Sequence, residues 1–123
     1  MEFEKLSNRV IGCCIEVHKE LGPGLLESAY EQSLAHELRL QNIPFEIQKP
    51  MPVEYKGVKL NCGYRLDIVV NNELILELKA VDSITGVHKA QLLTYLKLSG
   101  INKGLLINFN VSKVANGIKR FVL

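Results

Sequence analysis

The sequence predicts an α/β fold, a mixed β-sheet flanked by α-helices, with elements in the order ααβββαβ and a closing αβ pair. Three observations carry this. Apolar residues recur at helical spacing up to Gln41 and at strand spacing after Asn42. Residues 74–81 are apolar on both faces, as a strand inside a covered sheet has to be. A third helical pattern then separates that segment from a second short apolar strand.

Taken in order, Phe3, Leu6, Val10, Cys13, Cys14, Val17 and Leu21 predict an amphipathic helix over about residues 2–20. Gly22-Pro23-Gly24 ends it and starts another, since glycine suits a helix end and proline a helix start. Leu26, Tyr30, Leu34 and Leu38 carry the second helix to about Gln41. Pro44, Pro50 and Pro52 make residues 45–55 an extended edge segment, and Lys56-Gly57 is a turn. Residues 58–70 read as one strand, joined to 74–81 through a hairpin turn at Asn71-Asn72-Glu73. A helix over about 84–99 closes at Gly100, and 104–109 is a short buried strand. A short helix and a strand at 118–122 finish the chain.

The length, 123 residues, suits a single domain spanning 1–123 with a core of its own. Hydrophobic content of 47% against 23% charged argues for a folded chain, and no apolar run reaches the length of a membrane span. Acids at Glu2 and Glu4 do not suit a secretory signal, so the expectation is a cytoplasmic protein. Three cysteines cannot all pair; adjacent Cys13 and Cys14 suit reduced, buried thiols. Cys14 and His18, one turn apart, favour core packing over a shared metal, because no second ligand pair has zinc spacing.

Net charge is only +2, but its distribution is uneven. Residues 1–54 hold nine acids and five bases, whereas 55–123 hold four acids and ten bases, with no acid after Asp82. Such asymmetry suits a polyanionic partner on the C-terminal side, or a solvated surface balanced by the acidic half.

The informative positions are polar residues where packing wants apolar ones. In 74–81 one face carries Leu74, Leu76, Leu78 and Ala80; Glu77 and Lys79 share the other with Ile75 and Val81. In the preceding strand Tyr64, Leu66, Ile68 and Val70 share a face, opposite Arg65, Asp67 and Val69. A three-residue turn at Asn71–Glu73 places Asp67 across from Glu77, whereas a two-residue turn would separate them. Glu27 falls within the apolar arc of the second helix, as does Glu37, although a first-turn acid also suits the helix dipole. His88, Gln91 and Tyr95 share a face of the third helix with Ile84, Val87 and Leu98. Crowded carboxylates beside a lysine make chemical sense around a hard divalent cation, which prefers oxygen ligands and can activate water. A structural Glu77–Lys79 ion pair is the plainer alternative.

Asp67, nine residues, then Glu77-Leu78-Lys79 resembles the signature of the PD-(D/E)XK nuclease superfamily, although Leu66 stands where many relatives have proline. Gln91-Leu92-Leu93-Thr94-Tyr95 resembles the QxxxY motif of RecB-like members. Gly24-Leu25-Leu26-Glu27-Ser28-Ala29-Tyr30, with Val17 to Pro23 before it, resembles the motif of the small bacterial GxxExxY family within that superfamily. The likeness spans about residues 10–122 and implies a restriction-endonuclease-like core.

It further implies that Glu27, Asp67, Glu77 and the Leu78 carbonyl hold Mg²⁺ or Mn²⁺. Lys79 would assist the attacking water, and Gln91 and Tyr95 would orient the site or touch the nucleic-acid backbone. Arg65, Lys89 and Lys97 are candidate backbone contacts. The expected function is metal-dependent hydrolysis of phosphodiester bonds in DNA, or in RNA. A catalytically inert nucleic-acid-binding or assembly subunit of the same fold is the alternative, and a homodimer or larger complex fits either.

Overall fold

The computed structural model describes residues 3–123; Met1, Glu2 and the side chain of Phe3, where the expected first helix begins, lie outside the described residues. Helices α1 (Phe3–Leu21) and α2 (Glu27–Leu40) are separated by the glycine-proline break, with Gly22 and Gly24 both at positive φ. The strands are β1 (Phe45–Pro50), β2 (Val53–Tyr55), β3 (Val58–Leu60), β4 (Arg65–Val70) and β5 (Leu74–Lys79). Helix α3 (Gly86–Ser99), β6 (Lys103–Asn108), a 3₁₀ turn (Val114–Gly117) and β7 (Ile118–Val122) complete the chain.

Five strands form a mixed sheet in the order β1-β4-β5-β6-β7, with β5 and β6 parallel and the other neighbours antiparallel. Strand β5 is central, as its two apolar faces demand. One face packs Leu74, Leu76, Leu78, Leu105 and Ile107 against α1 and α2; the other packs Ile75, Leu106 and Val69 against Leu92 and Leu96 of α3. Among the described residues no helix is long and apolar enough to cross a membrane. Cys13 and Cys14 are free, buried thiols of the α1 core.

Two expectations are corrected. Residues 58–70 are not one strand. β3 pairs with β2 across the Lys56-Gly57 turn as a separate two-stranded sheet, and residues 61–64 loop back before β4. Asn61 and Gly63, both poor strand formers, lie at that break. Leu66 also leaves the face of Ile68 and Val70, joining Val69 in the α3-side core. The alternation breaks at Asp67, whose register neighbour in β1 is Gln48, a non-glycine residue at φ 49°.

The hairpin register matches the sequence reading. The loop between β4 and β5 has three residues, and Val70 pairs with Leu74, Val69 with Ile75 and Ile68 with Leu76. Asn71 and Asn72 take left-handed backbone, which asparagine tolerates better than most residues.

Candidate active site

The β4–β5 ladder ends at Ile68–Leu76, and the next register position places Asp67 beside Glu77. There a side chain replaces the backbone pairing. Asp67 Oδ2 accepts from the Leu78 N–H at 2.8 Å, and Glu77 Oε1 accepts from the Asp67 N–H at 3.5 Å. The strands part at this point, so a half-buried carboxyl group, Asp67, meets a buried one, Glu77. Glu77 is only 4% exposed. Burial first, and the Asp67 carboxylate second, push its carboxyl up to about 8. Burial also raises Asp67, opposed by the Leu78 hydrogen bond and then by Lys79. Asp67 is thus the readier of the two to ionise, and Glu77 carries the proton and hydrogen-bonds to it.

Lys79 does not form the ion pair that the plainer reading expected. Lys19–Glu16 and Lys49–Glu46 do form ion pairs, both of them local and near the surface. Lys79 Nζ instead donates to Gln91 Oε1 at 3.3 Å, and Gln91 Nε2 lies 2.9 Å from the Tyr95 hydroxyl. An ammonium only donates, so Gln91 must turn its oxygen to Lys79 and its NH₂ to Tyr95. The Tyr95 hydroxyl therefore accepts, and its own proton remains for another partner. Burial first and Glu77 second raise the Tyr95 hydroxyl above its ordinary range, so it holds that proton.

On the α2 side, Glu27, Ser28, Glu31, Gln48, Asp67 and Leu78 line a cavity of about 150 Å³. Glu27 is the first residue of α2 and is exposed, so it sits at the rim and not in the apolar arc; the buried residues of α2 are Tyr30, Leu34, Ala35 and Leu38. Glu31 is the site residue that the sequence reading missed. It lies one helical turn after Glu27, the spacing that could have revealed it, and accepts from Gln48 Nε2 at 2.6 Å. Burial raises its carboxyl, opposed by Gln48, while Asp67 and Glu27 add to the rise. Among the described residues no three Asp, Glu, His or Cys side chains already stand together as a metal-holding group.

The glycine-to-tyrosine stretch explains how Glu27 reaches the rim. Tyr30 Oη donates to the Gly22 carbonyl at 2.6 Å and accepts from the Leu25 N–H at 3.2 Å, tying down the loop that starts α2. The Tyr30 ring stacks on Phe109 with centroids 4.4 Å apart, and His18 Nε2 donates to the Phe109 carbonyl at 3.1 Å. His18 therefore serves the core, as does fully buried Cys14.

Of the other sequence candidates, His88 shares a surface groove with Lys79, Gln91 and Tyr95, and the rest lie apart. His88 caps α3, its Nδ1 accepting from the Thr85 N–H at 3.0 Å. Arg65 is exposed and donates to the Gln48 carbonyl at 3.1 Å. Lys89 and Lys97 lie two residues before and six after Gln91 on α3. At about 100° per residue both point to the far side of the helix from Gln91 and Tyr95. Glu37 lines a separate groove with Glu16 and Glu20.

A family model described as the PD-(D/E)XK nuclease superfamily matches residues 4–121. The chain belongs to that superfamily. Its mixed five-stranded sheet flanked by helices is consistent with the restriction-endonuclease-like fold of PD-(D/E)XK proteins. No curated protein and no solved structure matches the chain. Membership supports a nuclease-type function and contact with nucleic acid in general terms.

Proposed function

We propose that the chain hydrolyses phosphodiester bonds of nucleic acid, DNA ahead of RNA, with Mg²⁺ or Mn²⁺ as cofactor. The observation that carries this reading is the Asp67–Glu77 carboxyl pair, Asp67 half-buried and Glu77 buried, beside Lys79, with Gln91 and Tyr95 behind it. Burial penalises charge on Asp67, Glu77 and Glu31, and these acids and Glu27 at the rim repel one another. Such a donor set fits a hard divalent cation, which relieves both costs. Asp67, Glu77, Glu27 and the Leu78 carbonyl would hold the ion, with Glu31 available as a further oxygen donor. When bound, the cation supplies an acidified water and neutralises charge building on the phosphate.

The remaining steps belong to the chain. Gln91 holds the Lys79 ammonium in place, where it orients the attacking water and stabilises charge on the phosphoryl oxygens. Tyr95, its oxygen occupied by Gln91, donates a hydrogen bond to a phosphate oxygen. The Gly24–Glu27–Tyr30 run and the Gln91–Tyr95 pair support reading the chain as a relative of the GxxExxY proteins and of the RecB-like branch.

The test is cleavage of end-labelled single- and double-stranded DNA and RNA with Mg²⁺ or Mn²⁺, comparing wild type with Lys79→Ala and Glu77→Ala. The expected result is metal-dependent cleavage that falls at least about a hundredfold in both variants. Cleavage equal in all three proteins, or absent from all on every substrate, would overturn the proposal and favour an inert binding subunit.

A further inference from the structure

Lys79, Gln91 and Tyr95 face the carboxyl pair at one end and form part of a surface groove of about 680 Å³ at the other. The groove runs between α3 and the segment carrying the β2–β3 hairpin. Its apolar walls include Met51, Val53, Tyr64, Val87 and Leu98. Several of these are left in water: Val87 is 77% exposed, Tyr64 48% and Leu98 41%. The Tyr64 ring meets the Tyr95 ring edge-on, with centroids 6.3 Å apart and planes at 61°, so part of the Tyr64 ring remains open to the groove. Among the described lining residues Lys79 is the one cation, because Lys89 and Lys97 point away from this side of α3.

We propose that this groove receives unpaired nucleobases of the strand whose phosphodiester lies at Asp67, Glu77 and Lys79, making the substrate single-stranded or frayed nucleic acid. The inference rests on the hydrolytic reading above and names its substrate class. Continuity supports it, since three side chains belong to both the site and the groove, and anything in the groove lies next to the reacting phosphate. Surface chemistry supports it too. A duplex turns its phosphates outward and hides the faces of its bases, so it offers this apolar, aromatic, cation-poor wall nothing to bind. An unstacked base presents an apolar face for Tyr64, Val87 and Leu98 and polar edges for Gln91, His88 and Thr94. The volume falls in the range of small-ligand sites, room for a base or two and not for a duplex.

The experiment measures binding, with Ca²⁺ replacing the catalytic ion so that substrate stays intact. The chain has no tryptophan, so Tyr64→Trp introduces a single fluorescent reporter in the groove. An oligothymidine strand should quench its emission, and a matched duplex should not. A Val87→Ser/Leu98→Ser double variant removes apolar wall at exposed positions without changing charge. Fluorescence anisotropy with labelled strands should show single-strand affinity falling about tenfold more than duplex affinity, the worth of a modest stacking contact. Equal quenching by both ligands, or equal losses for both, overturns the groove assignment. Groove-dependent single-strand binding in a chain that cleaves nothing upholds the groove and refutes hydrolysis. Cleavage that prefers duplex and ignores the double variant does the reverse. An unpaired base remains the occupant only if an apolar peptide fails to displace the oligothymidine; displacement by the peptide counts against it.

Discussion

Replacing Glu77 by glutamine isolates the role of its buried carboxyl without altering its shape. Burial and Asp67 hold the Glu77 carboxyl at about 8, against an ordinary 4.5. Between those values the folded chain keeps a proton that the unfolded chain releases. The resulting stability is complete below about pH 4.5 and is lost as pH rises through about 8. Each pH unit inside that window costs about 1.4 kcal/mol, so metal-free wild type should lose up to about 3 kcal/mol between pH 5 and pH 7. For a chain of this size that corresponds to roughly 10 °C in Tm. Glu77→Gln offers Asp67 an amide donor in place of the protonated carboxyl and has no proton to release. Its stability should fall much less over the same range and exceed that of wild type at neutral pH, with a residual slope from Asp67, which burial also raises. The assay is urea unfolding in EDTA across the pH range. Parallel curves for the two proteins would refute the assignment of the proton to Glu77.

Adding Mg²⁺ at about pH 8, a hundredfold above its Kd, should stabilise wild type by about 3 kcal/mol and Asp67→Asn by much less, as a thermal-shift titration would show. Tyr30→Phe deletes the hydroxyl that ties Gly22 to Leu25; unfolding experiments should show a loss of about 1–2 kcal/mol, and Mg²⁺ affinity should weaken as Glu27 loses its fixed position. Asn108→Ala should cost about 2–4 kcal/mol in the same unfolding assay, because its buried amide bonds to Val81 N–H, the Val81 carbonyl and Asn110 N–H.

Where the sequence was legible, the information was local or periodic. The helix breaks at Gly22 and Gly100 need left-handed backbone, and both glycines adopt it. Turn arithmetic alone set Asp67 opposite Glu77, because a strand has two faces and a slip of one residue exchanges them. The errors have a common physical source in contacts between distant segments. Leu66 changes face because Asp67 spends its carboxylate on the Leu78 N–H while Gln48, in another strand, turns left-handed. No periodicity in β4 encodes either event. Glu31 was missed because its identity as a site residue depends on Gln48 and Asp67, both remote in sequence. The helical angle of Glu27 puts it in the apolar arc, yet α2 begins at that residue, where the arc has not yet met the core.

The scattered motif residues make sense as a frame that holds the two sides of the site at a fixed separation. The Lys79 side chain reaches toward Gln91, while its backbone carbonyl accepts from the Phe109 N–H at 2.9 Å. Phe109 in turn stacks on Tyr30 and bonds to His18, and Tyr30 holds the loop from which Glu27 emerges. The lysine that would stabilise charge and the acid at the opposite rim are therefore joined through one buried phenylalanine, although 51 positions separate them in number, from Glu27 to Lys79, by residues 28–78. Buried aromatic stacking and satisfied hydrogen bonds are stiff, and oxygen donors for a small cation must be placed to a few tenths of an ångström. A tyrosine that shapes the loop before α2 can thus matter to the geometry of the site as much as the glutamate that the loop presents.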